Sequence, residues 1–553
     1  MPFGWLLLAG ASCAAAGFIL FRRRSGRRDL LARFRASWGQ PQPLRRRDFQ
    51  AIRSGPAATD RLRLDDATWD DLDMDALFVQ VDRTLTEPGQ QALHAWLRIP
   101  TDDVPALKRR SEAMRALERS APLREDLQLR LAPLANAPQG VFARLLDSAI
   151  PSLPLPRFVY GALALVSLGS LGAFAAGAQF GFLLAGLAYA LDCLAHYSAL
   201  RQVTAALPGL IALQELFGAA QRLVEKPLPD LEPEQEAIRA QLAALHEIAA
   251  AVATIGSTRI GDETIGEYVD IFTLRQERLF SRAVPLLAAR SQGIGVLALR
   301  VGELDALQAL ASWRSGLSWC APELTAEVEL VARGVRHPLV ANCVPNGVRL
   351  APSLLVTGSN MSGKSTYLRA VALNALLAQV IHTCLAESWS GPPVRLMTCL
   401  RRADSVLAGR SAYLAEAQGV LEIVKSASSS PRLLCVLDEI FRGTNSLERV
   451  AAATEVLRWL SARGALVLAS THDHALTRST GFDNAHFTEQ VSAEGIAFDH
   501  LLKPGPASTT NAIALLRFLG FPAEIVDAAE RTRAAGGGQT RSGMVGADGF
   551  EPS

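Results

Sequence analysis

The sequence lacks paired cysteines and has almost no net charge. Its seven cysteines are scattered and none lies in a Cys-x-x-Cys pair, which excludes a disulfide framework and a zinc knuckle. With 56 basic and 54 acidic residues the net charge is only +2, so the chain is not a uniformly basic nucleic-acid coat, and any cationic surface must be local. Hydrophobic residues, at 49%, are too abundant for an intrinsically disordered chain. A chain of 553 residues is long enough for about three or four domains.

Two charge-free stretches predict contact with lipid, and the first lies at the N-terminus. Residues 3–21 are long enough to span a bilayer and are followed directly by Arg22, Arg23 and Arg24. This order predicts a transmembrane helix whose N-terminus points out and whose arginines stay in the cytoplasm. The alternative for this stretch is a secretion signal with a lipobox-like segment at residues 10–13.

The second charge-free stretch is residues 158–191. Residues 177–179 offer a turn, and Arg157 and Arg201 flank the two ends. The length and the flanking charge therefore predict a hairpin of two transmembrane helices. The alternative is a buried pair of alanine-rich helices that never meets lipid.

The remaining segments are typical of soluble structure. Residues 22–48 carry ten arginines against two aspartates, which predicts a patch lying on anionic lipid, with nucleic acid as the alternative partner. Residues 228–316 have apolar side chains at three- and four-residue spacing, which predicts long amphipathic helices. From Ala321 onward, short β-branched and leucine runs separated by Gly and Pro predict an α/β domain. The glycine-rich tail, residues 536–553, is predicted to be disordered.

A glycine-rich loop follows a buried-strand pattern in the second half of the chain. The apolar run at residues 354–357 leads into residues 358–365, which read GSNMSGKS and fit G-x-x-x-x-G-K-[ST] between a strand and a helix. Glycines permit the tight turn whose backbone N–H groups cradle a phosphate at the start of the helix. We expect Lys364 to contact the β- and γ-phosphate oxygens and the Ser365 hydroxyl to ligate Mg²⁺.

Two further apolar runs end in side chains suited to the same chemistry. Residues 433–437 lead into Asp438 and Glu439. We expect the first carboxylate to hold Mg²⁺ through a water and the second to polarise the attacking water. Residues 465–470 lead through a threonine into His472, which places an imidazole at the same sheet edge, where it would sense the γ-phosphate.

These residues resemble the MutS family of DNA mismatch-repair ATPases. Residues 358–366, GSNMSGKST, are similar to the family's GPNMGGKST, and the Asn-Met pair is far more specific than a generic phosphate loop. Residues 82–100 and 304–307 resemble the family's helical core. The other similar segments are Arg336-His337-Pro338-Leu339, Val344-Pro345-Asn346, Asp404-Ser405, Gly409-Arg410-Ser411-Ala412-Tyr413 with Glu416, Asp438-Glu439-Ile440 with Arg442-Gly443-Thr444, Thr471-His472, and Pro504-Gly505 before Ser508.

The resemblance implies an ATP hydrolase of the ABC superfamily that works as a head-to-tail homodimer. It implies Lys364, Glu439 and His472 as catalytic residues, with Glu439 as general base. It implies Ser365 and Asp438 as the Mg²⁺ ligands. The residues that it implies for ATP binding are Gly358, Ser359, Asn360, Met361, Ser362, Gly363, Lys364, Ser365, Thr366 and, from the other subunit, Ser411. Thr444 and Asn445 would lie in the loop that couples the two sites.

The resemblance does not extend to a mismatch-reading N-terminal domain. No Phe-x-Glu occurs in residues 22–62, so a membrane-anchored variant without that domain is expected. The predicted fold class is α + α/β: an N-terminal transmembrane helix, a helical MutS-like core interrupted by an apolar hairpin, and a C-terminal P-loop ABC-type ATPase domain with a mostly parallel sheet. The predicted segments are 1–28 (anchor and basic flank), 29–157 (first part of the core), 158–199 (hairpin), 200–320 (core and lever), 321–535 (ATPase) and 536–553 (tail).

The predicted function is ATP hydrolysis by a dimer, coupled to DNA binding as in mismatch repair or recognition of a DNA structure. The alternative is a membrane-bound, ATP-driven scaffold that acts on protein or lipid without DNA. Because ATP is cytosolic, an even number of crossings must separate the core from the ATPase, so residues 158–191 form either a hairpin or no span. The predicted location is the inner membrane, multi-pass, with lipid contacts at residues 3–21 and 158–191 and the ATPase domain in the cytoplasm.

Overall fold

The computed structural model describes residues 25–41, 49–53, 62–137, 153–256, 269–359, 362–400, 412–427, 432–441, 445–492, 495–506 and 512–539. The predicted transmembrane helix at residues 3–21 lies outside the described residues, as do residues 540–553 of the predicted tail. The chain divides into two compact units. The first contains Met1–Asp60 and Asp75–Leu317, and the second combines Arg61–Met74 with Ser318–Ser553.

Helices account for most of the described residues before residue 318. Residues 25–37 and 269–273 are helical, and a short 3-10 helix covers Leu134–Asn136. The other helices are α1 (Phe49–Arg53), α2 (Asp66–Asp71), α3 (Met74–Val81), α4 (Glu87–Arg98), α5 (Val104–Arg119), α6 (Ala121–Leu131), α7 (Arg157–Ala175), α8 (Gly181–Glu225), α9 (Glu232–Ala244), α10 (His246–Gly256), α11 (Arg275–Ala289) and α12 (Ser291–Ser315).

Helix α12 is the centre of the first unit, where it packs against α4, α5 and α9. Its contact with α4 is close because each helix carries a glycine at the crossing. A Cβ atom on Gly302 would lie 2.1 Å from the carbonyl oxygen of Pro88, and one on Gly89 would lie 2.3 Å from Oδ2 of Asp305. No larger residue fits at either position without moving its neighbour.

A buried carboxylate fastens the start of α4 to α12. Asp305 accepts hydrogen bonds from the N–H of Leu85 at 3.0 Å, from the N–H and hydroxyl of Thr86 at 2.8 and 2.7 Å, and from the amide of Gln308 at 2.9 Å. Complete burial raises the pKa of Asp305 to about 6, because desolvation outweighs these donors. The two segments that resemble the family's helical core are thus joined by this one side chain.

Helices α7 and α8 form an antiparallel hairpin with a turn at residues 176–180, where Gly177 has a φ of +86°. The two apolar helices and the turn lie where the sequence predicts them. Helix α8, however, does not stop with the predicted hairpin at residue 199 but continues to Glu225, 45 residues in all. The extension is stable because Leu213 and Leu216 on its later half are fully buried in the unit's core.

The second unit contains all the strands of the described residues. They are β1 (Glu323–Leu324), β2 (Leu330–Val335), β3 (Asn346–Leu350), β4 (Ser353–Thr357), β5 (Ser388–Gly391), β6 (Val394–Cys399), β7 (Arg432–Asp438), β8 (Leu466–Ser470), β9 (Asp483–His486), β10 (Glu489–Ser492), β11 (Gly495–Phe498) and β12 (Lys503–Pro504). Its later helices are α13 (Lys364–Ile381), α14 (Ala412–Ser426), α15 (Ser446–Ala462), α16 (His474–Ser479), α17 (Ala512–Phe518) and α18 (Ala523–Gln539). Helix α18 thus enters the first four residues of the predicted tail.

The main sheet has six strands in the order β12-β9-β4-β8-β7-β6. All neighbouring pairs are parallel except β12 and β9, so the sheet is mostly parallel, and a four-stranded mixed sheet, β1-β5-β2-β3, accompanies it. Strands β4, β7 and β8 are neighbours and carry the three apolar runs noted in the sequence. Because they are parallel, their polar ends meet at one edge of the sheet.

Helix α2 packs in the second unit, although the sequence assigns it to the helical core at residues 29–157. Asp71 is buried and accepts hydrogen bonds from the hydroxyl of Thr398 and the N–H of Leu400, both at 2.7 Å. The hydroxyl of Thr68 accepts the N–H of Thr398 at 3.1 Å. These bonds hold α2 against the end of β6, and no local pattern in residues 62–74 predicts them.

Candidate nucleotide-binding site

The loop between β4 and α13 depends on two glycines. Gly358 has a φ of +141°, and a Cβ atom there would lie 2.9 Å from both the Phe487 carbonyl oxygen and the Ser362 hydroxyl. Gly363, with a φ of +108°, ends the loop and precedes the first turn of α13. The loop therefore turns sharply into a helix N-terminus, the arrangement expected of a phosphate cradle. Asn360 and Met361 lie outside the described residues.

Lys364 points back into this loop. Its ammonium donates hydrogen bonds to the carbonyl oxygens of Gly358 at 2.6 Å and Ser359 at 2.9 Å, and Nζ lies 3.6 Å from Oε1 of Glu439. The side chains of Lys364 and Glu439 are only 3% and 4% exposed, so water screens their attraction weakly. The structure thus brings the predicted phosphate-binding lysine next to the predicted base.

Asp438 is held between two serines. The Ser365 hydroxyl donates to Oδ2 at 2.5 Å, and the Ser470 hydroxyl donates to Oδ1. The sequence predicts that Ser365 and Asp438 share a metal ion, but no motif points to Ser470. The signal for Ser470 lies in the sheet register, because it ends β8 directly opposite Asp438 at the end of β7.

Glu439 follows Asp438 in a left-handed backbone conformation, with a φ of +53°. Such a conformation costs a non-glycine residue about 1–3 kcal/mol and persists where surrounding contacts enforce it. Here the N–H of Glu439 donates to the Ser470 carbonyl oxygen at 3.0 Å. Its Oε1 lies 3.5 Å from Nδ1 of His472, whose side chain is 47% exposed. The predicted base and phosphate sensor therefore lie side by side.

Residues that the sequence did not single out hold the far side of the loop. The Ser359 hydroxyl donates to Glu489 at 2.7 Å, and Nδ1 of His500 donates to the Ser362 carbonyl oxygen at 3.1 Å. Asn346 belongs to a segment that resembles the family, and its amide donates to the carbonyl oxygen of His500 at 2.9 Å. Glu489 and His500 escaped notice because they lie more than 120 residues from the loop with no motif around them.

His337, in another segment that resembles the family, is buried and neutral. Its Nδ1 accepts the N–H of Leu339 at 3.1 Å. Burial, assisted by the nearby charge of Arg369, lowers the pKa of His337 to about 4. The imidazole thus acts as a turn-forming acceptor, and a proton on Nδ1 would remove the acceptor.

Several predicted residues are outside the described part of the chain or at its margins. Ser411 and Thr444 lie outside the described residues. Thr366 is exposed in the first turn of α13. Glu416, which belongs to the same predicted segment as Ser411, accepts the N–H of Phe441 just beyond β7. Helix α14 is thereby tied to the strand that delivers Asp438 and Glu439.

The donor set fits a magnesium-bound phosphate. A glycine loop, a helix N-terminus and Lys364 suit phosphate oxygens, while the Ser365 hydroxyl and the Asp438 carboxylate are the oxygen ligands that Mg²⁺ takes. The described residues contain no group of three or more His, Cys, Asp or Glu side chains placed to hold a metal ion by themselves. That agrees with Mg²⁺ sites in which one carboxylate, waters and the phosphates of the substrate complete the coordination.

Comparison with known proteins gives a consistent assignment. Residues 354–535, which include β4, the loop and most of the second unit, match the family described as MutS domain V. A DNA mismatch repair protein MutS from Natronomonas pharaonis is 35% identical over 257 residues, which cover 44% of this chain and 30% of that protein. The proteins of the same name from Thermus aquaticus and Thermus thermophilus are each 29% identical over 82% and 83% of this chain and 60% of their own length.

The alignments with the two Thermus proteins extend well beyond domain V, over 519 and 528 residues. The chain nevertheless corresponds to only 30% to 60% of the length of these relatives. The matched segment begins at the strand before the glycine loop and contains Lys364, Asp438, Glu439 and His472, the residues that the fold brings to one sheet edge. With similarity of this extent, residues 354–535 are identified as a MutS domain V, and the chain is similar to MutS proteins over most of its length.

Proposed function

We propose that the chain binds ATP with Mg²⁺ on the loop at residues 358–366 and hydrolyses it to ADP and phosphate. The observation that carries this proposal is the convergence of Lys364, the Ser365–Asp438 pair and Glu439 at the ends of neighbouring parallel strands. The domain V match over the same residues supports it.

In this proposal the loop at residues 358–366 and the N-terminus of α13 bind the phosphates. Lys364 exchanges the loop carbonyls for the β- and γ-phosphate oxygens, which are stronger acceptors for an ammonium group. Ser365 and Asp438 would hold Mg²⁺, which would supply positive charge beside the phosphate oxygens. The hydrogen bond from Ser470 keeps the Asp438 carboxylate oriented toward Ser365.

Glu439 accepts the proton of the attacking water in this mechanism. It is buried, and its Oε1 lies 3.6 Å from Nζ of Lys364, beside the loop that would hold the phosphates. The left-handed backbone at Glu439 turns the side chain away from the strand and toward the loop lysine. His472, beside it, contacts the γ-phosphate and thereby distinguishes ATP from ADP.

The decisive test is Lys364→Met, a substitution of similar length without the charge. We expect ATP affinity to fall by at least about a hundredfold and turnover to vanish, measured by titration with a fluorescent ATP analogue and by phosphate release. The matched control is Lys425→Met, because Lys425 is an exposed lysine on α14 that pairs with Glu422 of the same helix. Unchanged turnover in Lys364→Met would overturn the proposed site.

We propose further that two chains form a head-to-tail dimer in which Ser411 of one completes the site of the other. The support is the resemblance of residues 409–413 to the family's signature segment. A mixing experiment tests it. Ser411→Ala and Lys364→Met chains are each expected to be inactive, whereas their mixture contains heterodimers with one intact site and recovers activity. No recovery at any mixing ratio would contradict the dimer.

DNA is the proposed partner of the dimer, because the relatives are named DNA mismatch repair proteins. Filter binding to homoduplex, mismatched and branched DNA across a salt series tests this, since the affinity for phosphates must fall steeply as salt rises.

Exposed Arg27, Arg28 and Arg33 form a local cationic surface on the helix at residues 25–37. Their joint replacement by Gln is expected to reduce the salt slope by about 2–3. ATP hydrolysis without any DNA binding would favour the alternative, an ATP-driven scaffold acting on protein or lipid.

We also propose that residues 3–21 anchor the chain in the inner membrane, with the ATPase domain in the cytoplasm. The support is the charge-free run followed at once by arginines. Fractionation after carbonate washing, with protease protection of the domain that contains Lys364, tests both parts. Recovery of the chain in the soluble fraction would contradict the anchor and leave the ATPase proposal intact.

A further inference from the structure

The hairpin of α7 and α8 exposes an unusual amount of apolar surface. Arg157–Ala175 and Gly181–Leu200 are each long and apolar enough to cross a membrane, yet only 22% and 28% of their apolar windows are buried. Core helices of soluble proteins are mostly buried, so these two helices are poorly explained as core. The large apolar side chains that they and their turn expose are Phe158, Leu165, Val166, Leu168, Leu171, Phe174, Phe180, Phe182, Leu183, Leu184, Leu187, Leu191, Leu194, Tyr197 and Leu200.

The base of the hairpin is packed within its own unit. The rings of Tyr189 and Phe272 stack with their centroids 4.6 Å apart, and Nδ1 of His196 lies 2.8 Å from Oε1 of Glu277. Between the turn and Tyr189, residues 181–188 of α8 make no ring or ion-pair contact, among the described residues, with any element other than α7. This free part of the helix is about 12 Å long, at 1.5 Å per residue.

The free part of α7 has the same length. Phe174 faces Phe182 next to the turn, with ring centroids 5.8 Å apart, and the Ser167 hydroxyl donates to Asp192 further down. This antiparallel register places residue 168 of α7 at about the level of Tyr189 on α8. Residues 168–188 therefore form the protruding part, which we call the hairpin tip.

Basic side chains lie beside the base of the hairpin, on α11 and at the start of α7. Arg275, Arg278 and Arg282 are exposed on α11, and Arg157 is exposed at the start of α7, where it lines the same pocket as Arg282. Glu277, the acidic residue of α11, is buried against His196 and adds no exposed negative charge. The exposed charge of this helix at the base is thus positive, complementary to an anionic lipid surface.

The position of the arginines limits how deep the hairpin can go. His196, which contacts α11 beside Arg278, lies about 22 Å along α8 from the turn. The hydrocarbon core of a bilayer is about 30 Å thick. If the hairpin crossed it completely, the exposed Arg275 and Arg278 would be carried into hydrocarbon, which is costly. A tip of about 12 Å instead matches one leaflet, of about 15 Å, and leaves the arginines at the headgroups.

We infer that the hairpin tip inserts into a single leaflet of an anionic bilayer, and that Arg275 and Arg278 contact the lipid phosphates beside it. The first unit is thereby held on the membrane surface at a fixed depth. This inference does not depend on the proposed ATPase activity. It requires no crossing of the membrane at the hairpin, because the chain enters and leaves the leaflet from one face.

A photo-crosslinking experiment on the full chain tests insertion at the hairpin itself. The protein is reconstituted with vesicles of phosphatidylcholine and phosphatidylglycerol, with benzoylphenylalanine placed at Phe182 or, as the matched control, at exposed Phe521 in the second unit. Phe182 is expected to yield at least about tenfold more adduct on acyl chains than Phe521. Because the readout is local, anchoring through residues 3–21 cannot produce it. Absence of acyl-chain adducts at Phe182 would overturn the inference.

A second variant tests whether the Phe182 adducts depend on the apolar character of the hairpin tip. Leu183→Asp, at a side chain that is 69% exposed and therefore dispensable for packing, is expected to reduce the Phe182 adducts by at least about tenfold, with unchanged thermal unfolding. Joint replacement of Arg275 and Arg278 by Gln is expected to remove the preference for phosphatidylglycerol over phosphatidylcholine vesicles. Equal crosslinking in both lipids by the unsubstituted chain would refute the role of the arginines.

Depth is tested by placing a cysteine at the turn. In Ala178→Cys, an impermeant maleimide is expected to label the new thiol from neither side of the vesicle, relative to the unsubstituted chain with its own cysteines. Labelling by reagent on the vesicle side opposite the rest of the unit would show a complete crossing and overturn the single-leaflet inference. Labelling from the same side, without acyl-chain crosslinks, would show that the tip stays in water.

Discussion

Substitution of Gly89 by alanine tests the crossing of α4 and α12. The new methyl carbon would lie 2.3 Å from Oδ2 of Asp305, and that carboxylate cannot retreat freely because Leu85 and Thr86 donate to it. Relief requires the loss of at least two hydrogen bonds to a charged group, worth about 1.5–3 kcal/mol each. Alanine recovers at most about 1 kcal/mol of helix propensity. The expected net destabilisation is therefore about 3 kcal/mol.

Hydrogen exchange is the appropriate assay, because a chain with two units does not unfold in one two-state step. A loss of about 3 kcal/mol corresponds to about a hundredfold loss of protection in α4 and α12. Gly161→Ala is the matched control, since no atom lies within 4 Å of its Cβ position inside α7. It should leave protection in α4 and α12 unchanged. If Gly89→Ala retains protection within about threefold of the native value, the account of this crossing is refuted.

Three further predictions concern the second unit. Glu439→Gln is expected to slow single-turnover hydrolysis by about 10²–10⁴-fold in rapid-quench assays while ATP still binds, because an amide cannot accept the proton; Glu489→Gln, on a carboxylate that hydrogen-bonds the loop, is its control. Ser470→Ala is expected to raise the Mg²⁺ concentration for half-maximal turnover about ten- to a hundredfold, because Asp438 loses its second hydroxyl donor. The pKa of His337 falls from 6.5 to about 4 on folding, so the neutral imidazole contributes to the free energy of unfolding. This contribution, about 3 kcal/mol in all by denaturant titration, is complete above pH 6.5 and is lost as the pH falls through 4.

Each of these has a result that would contradict it. Turnover in Glu439→Gln equal to that of Glu489→Gln would remove Glu439 as the base. A Mg²⁺ requirement unaffected by Ser470→Ala would show that Asp438 needs no second donor. His337→Asn keeps an acceptor for the N–H of Leu339 without a titrating group, so it should lack this part of the acid dependence; identical pH profiles would refute the pKa assignment.

The sequence predicts the parts of the fold that depend on local patterns of residues. Strands β4, β7 and β8 are central in a parallel sheet, so both of their faces are buried and they read as continuous apolar runs. The glycine loop is readable because Gly358 needs a backbone conformation and a space that other residues do not tolerate. The hairpin turn at Gly177 is readable for the same kind of reason, since it interrupts a charge-free run of helix formers.

The parts that the sequence does not predict depend on contacts between distant segments. Ser470, Glu489 and His500 reach the site through strand register and through loops far along the chain, and serine, glutamate and histidine are too common for a motif search. Helix α2 joins the second unit through hydrogen bonds at Asp71 that leave no periodicity. The length of α8 was missed because its charged residues after Leu200 suggest an end, whereas burial of Leu213 and Leu216 continues the helix.

Helix α8 is a long, nearly continuous helix in the first unit. Its 45 residues extend for about 68 Å, interrupted only at Pro208, which lacks the backbone N–H for one helical hydrogen bond. One end begins at the apolar turn and the other lies in the core beside α6 and α9. A tilt of only about 5° at the turn displaces the far end by about 6 Å. In the membrane-inserted state inferred above, a change in bilayer curvature or thickness would therefore reach the protein interior as a mechanical displacement.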